Sequence, residues 1–233
     1  AGVRAAAGEL LLFVDDDVVL PPGFLAAHAR AHRRGRPAVA GGPILNVGSY
    51  EARPLPGWRN YSNAFLCTCN ASLPRAAFEA VGGFDEGFDR YGWEDTELGL
   101  RLRRLGLRRT FAWDAYLWHV KLPAFESFDV LEGKTTERAQ MAVRLLEKDA
   151  SLRTCLATGA YPLNLARAAL VSAPPLLALH RRIVAAPGAP PRLRAFSQRQ
   201  LLDHAYTTTL RRAINRSRAG KAPPEEPPSR TFA

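Results

Sequence analysis

Long uncharged runs are missing from this sequence. No stretch without a charged residue, Thr154–Ala166 and Ala168–Leu179 among them, reaches the roughly 20 residues a membrane-spanning helix needs. The second also contains Pro174-Pro175, so no conventional spanning helix is expected. Cysteine is scarce: Cys67, Cys69 and Cys155 are the only three in 233 residues, which excludes a disulfide framework. One residue separates Cys67 from Cys69, not the two to four of a zinc knuckle, so the thiols read as reduced and partly buried in a cytosolic protein. No internal repeat is visible, and 18 Gly with 18 Pro exclude a collagen-like chain. Acidic residues are missing from the back of the chain. Residues 151–233 hold 13 basic and 3 acidic side chains, whereas residues 1–150 hold 19 of each, so the whole net charge of +10 sits at the back. Neither a starting Met nor a signal peptide is present, so the N-x-S sequons at Asn60, Asn70 and Asn215 carry little weight. The expectation is the downstream part of a longer protein, or a cut one.

What is present is ordinary globular composition, 47% apolar, enough for one core or a core with an appendage. Glu9–Val14 is a continuous apolar run, which suits a strand buried on both faces of a parallel sheet. A helix is expected over Phe24–Arg34, a strand at Ala38–Gly42, a loop over 46–64 and a strand at Phe65–Asn70. A short helix is expected at Pro74–Val81, and an irregular loop at Phe84–Gly92. Leu98, Leu102 and Leu105 mark a helix over Asp95–Leu105, ended by Gly106. A strand follows at Arg109–Trp113. Helices are expected over 132–148, in Pro-broken segments from about 160, and over Leu201–Ser217, before a Pro- and charge-rich tail that reads as disordered.

Three groups of residues carry chemistry. Asp15-Asp16-Asp17 ends the first strand, and alternation along an extended chain puts Asp15 and Asp17 on one side with Asp16 on the other. Adjacent carboxylates repel, and a hard divalent cation shared with substrate phosphates removes that cost. The plainer alternative is an acidic, helix-capping turn. The second group is Tyr91-Gly92-Trp93-Glu94-Asp95-Thr96-Glu97, after Gly83-Phe84-Asp85-Glu86. Acids in a first helical turn stabilise the positive end of the helix dipole by about 0.3–1 kcal/mol each. That account does not require the neighbouring aromatics, whose faces suit sugar rings, and a carboxylate in such a cleft is a candidate general base. The third is His119, whose imidazole is acceptable to Mn²⁺ beside carboxylates and is otherwise structural.

In order and spacing, these segments resemble the GT-A glycosyltransferases of family 2. The resemblance rests on Phe13-Val14-Asp15-Asp16-Asp17 with Pro22 and Phe24, on Asn70–Arg75, on Gly82–Glu86, and on Gly92–Leu102, and it covers residues 1 to about 120. It implies an α/β fold, a partial GT-A (Rossmann-like) sheet flanked by helices over 1–125. A helical basic extension over 126–218 and a disordered tail over 219–233 would follow. It implies an inverting transfer of a sugar from a nucleoside-diphosphate donor to a hydroxyl of a glycan or lipid-linked saccharide, dependent on Mn²⁺ or Mg²⁺. The metal would be held by Asp15, Asp17 and His119. Asp15, Asp16 and Arg75 would bind the donor, Asp95 would be the catalytic base assisted by Glu94, and Trp93 with Glu94 would bind the acceptor.

The family's N-terminal βαβ unit, which recognises the base, normally precedes the DxD segment by about a hundred residues. Only 14 residues precede Asp15, so base recognition is expected outside this sequence. The basic back suits peripheral contact with an anionic membrane, which places the protein in the cytoplasm at the inner face. A non-catalytic GT-A-like module that binds a glycan or a partner is the alternative. Nucleic acid is not an expected partner, because no recognised binding motif accompanies the basic tail.

Overall fold

A computed structural model describes residues 2–33, 35–121 and 127–219. The chain forms two compact units, one of residues 1–89 with 93–126 and one of residues 90–92 with 127–233.

The first unit opens with a single helical turn, α1 (Gly2–Ala5), then β1 (Leu10–Val14), β2 (Val18–Val19) and α2 (Phe24–His32). It continues with β3 (Ala38–Gly41), β4 (Ile44–Val47), a 3₁₀ turn at Trp58–Asn60, β5 (Asn70–Pro74) and α3 (Arg75–Ala80). The unit closes with α4 (Glu94–Arg104), β6 (Arg108–Phe111) and β7 (Leu117–Val120). One sheet has the order β1-β5-β3-β6, with β5 antiparallel to both neighbours and β3 parallel to β6. A smaller sheet, β2-β7-β4, pairs β7 antiparallel to β2 and parallel to β4.

Leu11, Val39, Leu66, Leu73, Phe78, Leu98 and Leu102 form the core between the larger sheet and the helices. In α4 the buried stripe is Leu98, Gly99 and Leu102. Leu105, expected on the same stripe, is half exposed because it is the residue that ends the helix. Gly99 lets that helix approach closely: a Cβ there would lie 3.3 Å from the Leu66 Cβ.

Two strand expectations are corrected. β1 is not buried on both faces of a parallel sheet: it is antiparallel and paired on one side only among the described strands, with Leu10 and Val14 exposed. The strand expected at Phe65–Asn70 begins only at Asn70. Cys67–Asn70 is a turn, closed by the Asn70 N–H on the Cys67 carbonyl at 3.0 Å, and Leu66 drops into the core instead. The expected loop over 46–64 also gives its first residues to β4.

A buried polar network ties the first unit together. The Asn70 amide donates to the carbonyls of Pro43 (3.2 Å) and Ala115 (2.8 Å). Its Oδ1 therefore faces His28 Nε2 at 2.9 Å, and that nitrogen must carry the proton. His28 Nδ1 is then the acceptor for the Ser72 hydroxyl at 2.8 Å, and His32 Nε2–H donates to the same hydroxyl oxygen at 2.8 Å. Gly42 is needed where these segments meet, since a Cβ there would fall 1.9 Å from the Ala115 oxygen that Asn70 holds.

The second unit is helical: α5 (Phe128–Lys148), α6 (Leu152–Thr158), α7 (Pro162–Val171), α8 (Pro174–Ala185) and α9 (Pro191–Arg218). Proline opens three of them at their first turn, where its missing N–H costs no hydrogen bond. The last helix starts ten residues before the Leu201 expected, because the Pro187–Pro191 run ends where Pro191 begins the helix. Ser127 and Ser151 cap α5 and α6 by accepting from Val130 N and Thr154 N. Leu201 and Leu210 of α9 are buried, Arg167 pairs with Asp203 at 3.0 Å, and Tyr206 donates to the Thr158 carbonyl at 2.9 Å. No single helix among the described residues is long and apolar enough to cross a membrane. One pair, Leu152–Val171 with Pro174–Ala185 and bent by 70°, meets the length and composition test jointly. The tail expected to be disordered lies, from residue 220, outside the described residues.

Burial, before any neighbour, holds His28 and His32 below the ordinary histidine value of 6.5. The unfolded chain therefore binds protons first on acidification. The network's stabilisation is complete above about pH 6.5 and is lost as pH falls toward the lowered folded values. The urea midpoint is expected to fall between about pH 7 and pH 5, and to fall less in His28→Gln; equal slopes would show that His28 is not the titrating group.

Candidate active site

Strand register brings the site residues together. β1 pairs with β5 so that Val14 faces Asn70, which sets Asp15, the next residue, beside Cys69. β2 pairs with β7 so that Val18 faces His119, and the Val120 N–H donates to the Asp17 carbonyl at 2.8 Å. Single ligand atoms of Asp15, Cys69 and His119 lie within 4.8 Å of one another. His119 Nε2 sits 2.8 Å from Asp17 Oδ1 and 3.7 Å from Asp15 Oδ2, while Nδ1 sits 3.8 Å from Cys69 Sγ. Lys121 Nζ approaches Asp17 Oδ2 at 3.4 Å.

Asp95 stands at the first turn of α4. The Thr68 N–H donates to its Oδ2 at 2.9 Å and the Thr68 hydroxyl to its Oδ1 at 2.8 Å. Burial pushes the Asp95 carboxyl above the ordinary carboxylate range, the two Thr68 bonds oppose this, and the charges of Glu94 and Asp15 add to it. Burial first pushes the Cys67 and Cys69 thiols up as well, and carboxylates add to it: Asp95, Asp15 and Glu94 at Cys67, Asp15 and Asp17 at Cys69. Glu94 Oε2 is closed off from solvent and makes no hydrogen bond. Trp93, immediately before α4, has φ 76°, the one positive φ outside glycine among the described residues. That conformation costs about 1–2 kcal/mol in an L-residue, strain of the kind that collects at functional sites.

Asp15, Asp17, His119, Glu94 and Asp95 thus belong to one neighbourhood, and Asp16 is exposed in the turn between its two neighbours. Arg75 does not join them. It lies at the far end of the β1–β5 pair, where Leu10 faces Pro74, and donates to the carbonyls of Gly8 (2.9 Å), Val3 (3.0 Å) and Ala6 (2.5 Å). Those contacts use the guanidinium to hold the N-terminal turn. Glu97 is structural as well: it is buried and paired with Arg101 at 2.5 Å. Thr68, Cys69 and Lys121 were not singled out from the sequence. The signal available for the first two was their position just ahead of Asn70, which becomes informative once the β1–β5 register is known.

The donor set fits a divalent cation. The His119 side chain is only 10% exposed, and its Nε2 makes no hydrogen bond despite the nearby carboxylates. A buried imidazole nitrogen that faces two aspartates, one at 2.8 Å, without a hydrogen bond is an arrangement a cation relieves.

The folded pKa of Asp95 exceeds its unfolded value, so stability drops as pH rises through that window and the buried carboxyl must ionise among other carboxylates. Asp95→Asn is expected to raise the urea midpoint near pH 7, with the gain disappearing in acid where the wild-type carboxyl is protonated. A lower midpoint at neutral pH would contradict this account.

Comparison with known proteins bears on the same residues. The family model described as the N-terminal domain of galactosyltransferase matches residues 51–127, a span that includes Thr68, Glu94, Asp95 and His119. The chain is 46% identical over 160 residues to validoxylamine A glucosyltransferase of Streptomyces hygroscopicus subsp. jinggangensis, covering 52% of this chain and 37% of that protein. It is 31% identical over 132 residues to the O-antigen biosynthesis protein RfbC of Myxococcus xanthus, covering 45% of this chain and 10% of that protein. The chain thus spans little more than a third of the length of the first of these relatives. Among solved structures, the mannosyltransferase PcManGT of Pyrobaculum calidifontis, in complex with GDP-Man and Mn²⁺, is 18% identical with a TM-score of 0.48, covering 90% of this chain and 64% of that one. By its family match over residues 51–127 and its named relatives, the chain is similar to glycosyltransferases.

Proposed function

We propose that this chain carries the cation-binding and acceptor-activating part of an inverting glycosyltransferase of family 2. Its substrates are a nucleoside-diphosphate sugar and a hydroxyl of a glycan or lipid-linked saccharide. The observation that carries the reading is Asp95: a buried carboxylate with a raised pKa, held on both oxygens by Thr68, close enough to Asp15 and Glu94 to feel their charge. A carboxylate raised this way is a stronger base than a solvated one, and its remaining lone pairs are available to an incoming hydroxyl.

In this reading the acceptor oxygen attacks the anomeric carbon while its proton passes to Asp95. The carbon–oxygen bond to the diphosphate breaks on the opposite face, so the anomeric configuration inverts. Glu94, beside Asp95 in the first turn of α4, accepts a hydrogen bond from a second acceptor hydroxyl. Trp93, placed directly before Glu94 in the left-handed conformation, offers the aromatic surface for the acceptor ring. Asp15, Asp17 and His119 would hold Mn²⁺ or Mg²⁺, which supplies positive charge against the departing diphosphate. Lys121, 3.4 Å from Asp17, adds a fixed cation on the same side. Asp16 is left for donor contact. The competing reading, a non-catalytic glycan- or partner-binding module, gives no role to the Asp95 environment.

Calorimetry on the whole product of the gene encoding this chain tests the proposal, with UDP-, GDP-, dTDP- and CDP-sugars in the presence and absence of Mn²⁺. Cation-dependent binding of one donor, lost in Asp17→Ala, is expected. Asp95→Asn is expected to keep that binding and to lower transfer by about 10²–10⁴. A folded protein that binds none of the donors would favour the non-catalytic module.

The helical unit supports contact with an anionic membrane at the inner face. On α7 and α8, Leu163, Leu170 and Leu179 are exposed, the first two by more than three quarters. Arg167 is the only charged residue between Thr154 and Leu179, and basic side chains follow from Arg181. An apolar surface bordered by arginines suits shallow insertion among acidic headgroups. Vesicles containing phosphatidylglycerol are expected to sediment the chain at low salt, less so at high salt, and about tenfold more weakly after Leu163→Ser with Leu170→Ser. Equal binding by that double variant would remove the apolar surface from the account.

A further inference from the structure

The imidazole of His119 faces two different donor sets. Its Nε2 side meets Asp17 at 2.8 Å and Asp15 at 3.7 Å, an all-oxygen environment. Its Nδ1 side meets Cys69 Sγ at 3.8 Å, and one ligand atom from each of Asp15, Cys69 and His119 lies within 4.8 Å of the others. Two ligands on a tetrahedral zinc ion, sulfur at about 2.3 Å and nitrogen at about 2.0 Å, stand about 3.5 Å from each other, close to the sulfur–nitrogen distance here. Cys69 is buried, so its sulfur has no route to a second cysteine at the surface, and Cys67 and Cys155 are free as well.

We infer that Cys69 Sγ, His119 Nδ1 and an Asp15 oxygen form a second, thiophilic cation mode of this site, which takes zinc in competition with the hard cation. On coordination the Cys69 thiol proton leaves to solvent and the thiolate binds the ion. Asp17, beside Nε2, then serves as the carboxylate that orients the ring, the outer partner that metal-bound histidines commonly have. Sulfur and imidazole donors favour zinc over magnesium or manganese. Because Asp15 and His119 belong to both modes, zinc bound through sulfur withdraws two ligands from the hard-cation position and acts as an inhibitor. The inference depends on the cation site proposed above only for that inhibitory consequence; binding through sulfur stands or falls by itself.

Cobalt(II), titrated into the metal-stripped chain, is the probe. A near-ultraviolet thiolate-to-cobalt charge-transfer band is expected. It should persist in Cys67→Ser, vanish in Cys69→Ser and be displaced by zinc, with affinity for zinc weakened by more than about tenfold in Cys69→Ser. Cobalt binding without that band, or a band that survives Cys69→Ser, would overturn the inference. X-ray absorption at the zinc edge of the wild-type chain gives the same answer without a variant: one sulfur neighbour at about 2.3 Å supports it, and an all-oxygen-and-nitrogen shell sinks it. A whole gene product that binds cobalt through sulfur but no nucleotide sugar would count against the transferase reading and leave this inference intact.

Discussion

Asn70 holds the α/β unit in register. Its side chain uses every polar atom on a buried partner: two donated bonds to the carbonyls of Pro43 and Ala115, and one accepted from His28. Those carbonyls belong to segments before β4 and before β7, so one amide fixes two chain reversals against the first residue of β5. Each buried polar group left unsatisfied costs about 1–3 kcal/mol, and a domain's whole stability is about 5–15 kcal/mol. Three such groups depend on Asn70, which makes this residue a constraint rather than a decoration of the strand.

The site follows from that constraint. With Asn70 fixed opposite Val14, the residues on either side of the pair, Asp15 and Cys69, must meet. With the reversal at Ala115 fixed, β7 delivers His119 to β2 and so to Asp17. The result concentrates negative charge: burial first, and then the charges of Glu94 and Asp15, raise the cost of ionising Asp95. A fold assembled only for stability would not place these carboxylates together, nor hold Trp93 in a left-handed conformation beside them. Sites that violate the local rules of stability in this way are where function is expected.

Much of the secondary structure is legible in the sequence. The apolar run before Asp15 and the leucine spacing of α4 each have a local cause that survives in the fold, and the prolines read as breaks between helical segments stand where helices open. The expectations that failed did so where tertiary contacts overrode local pattern. The run at Phe65–Asn70 looks like a strand, but Thr68 gives both of its donors to Asp95, and the chain turns there instead of pairing. Arg75 sits within a motif that suggested a donor contact, yet its guanidinium is occupied by three carbonyls of the N-terminal segment.

The identity of the chemical groups was the sequence's own contribution: three consecutive aspartates after an apolar run, an acidic first helical turn next to a tryptophan, one histidine beyond them, and a basic last third. Residue type and short-range spacing are local properties, and a linear reading captures them. Which of these groups touch was decided by the tertiary structure. Antiparallel register set Cys69 against Asp15, the small sheet set His119 against Asp17, and the turn at Thr68 set a hydrogen-bonding cradle under Asp95. Pairing partners lie 27 to 104 residues apart in the chain, as with Thr68 and Asp95 or Asp17 and Lys121. No local pattern encodes contacts at that separation; they exist only once the buried polar groups have found one arrangement that satisfies them.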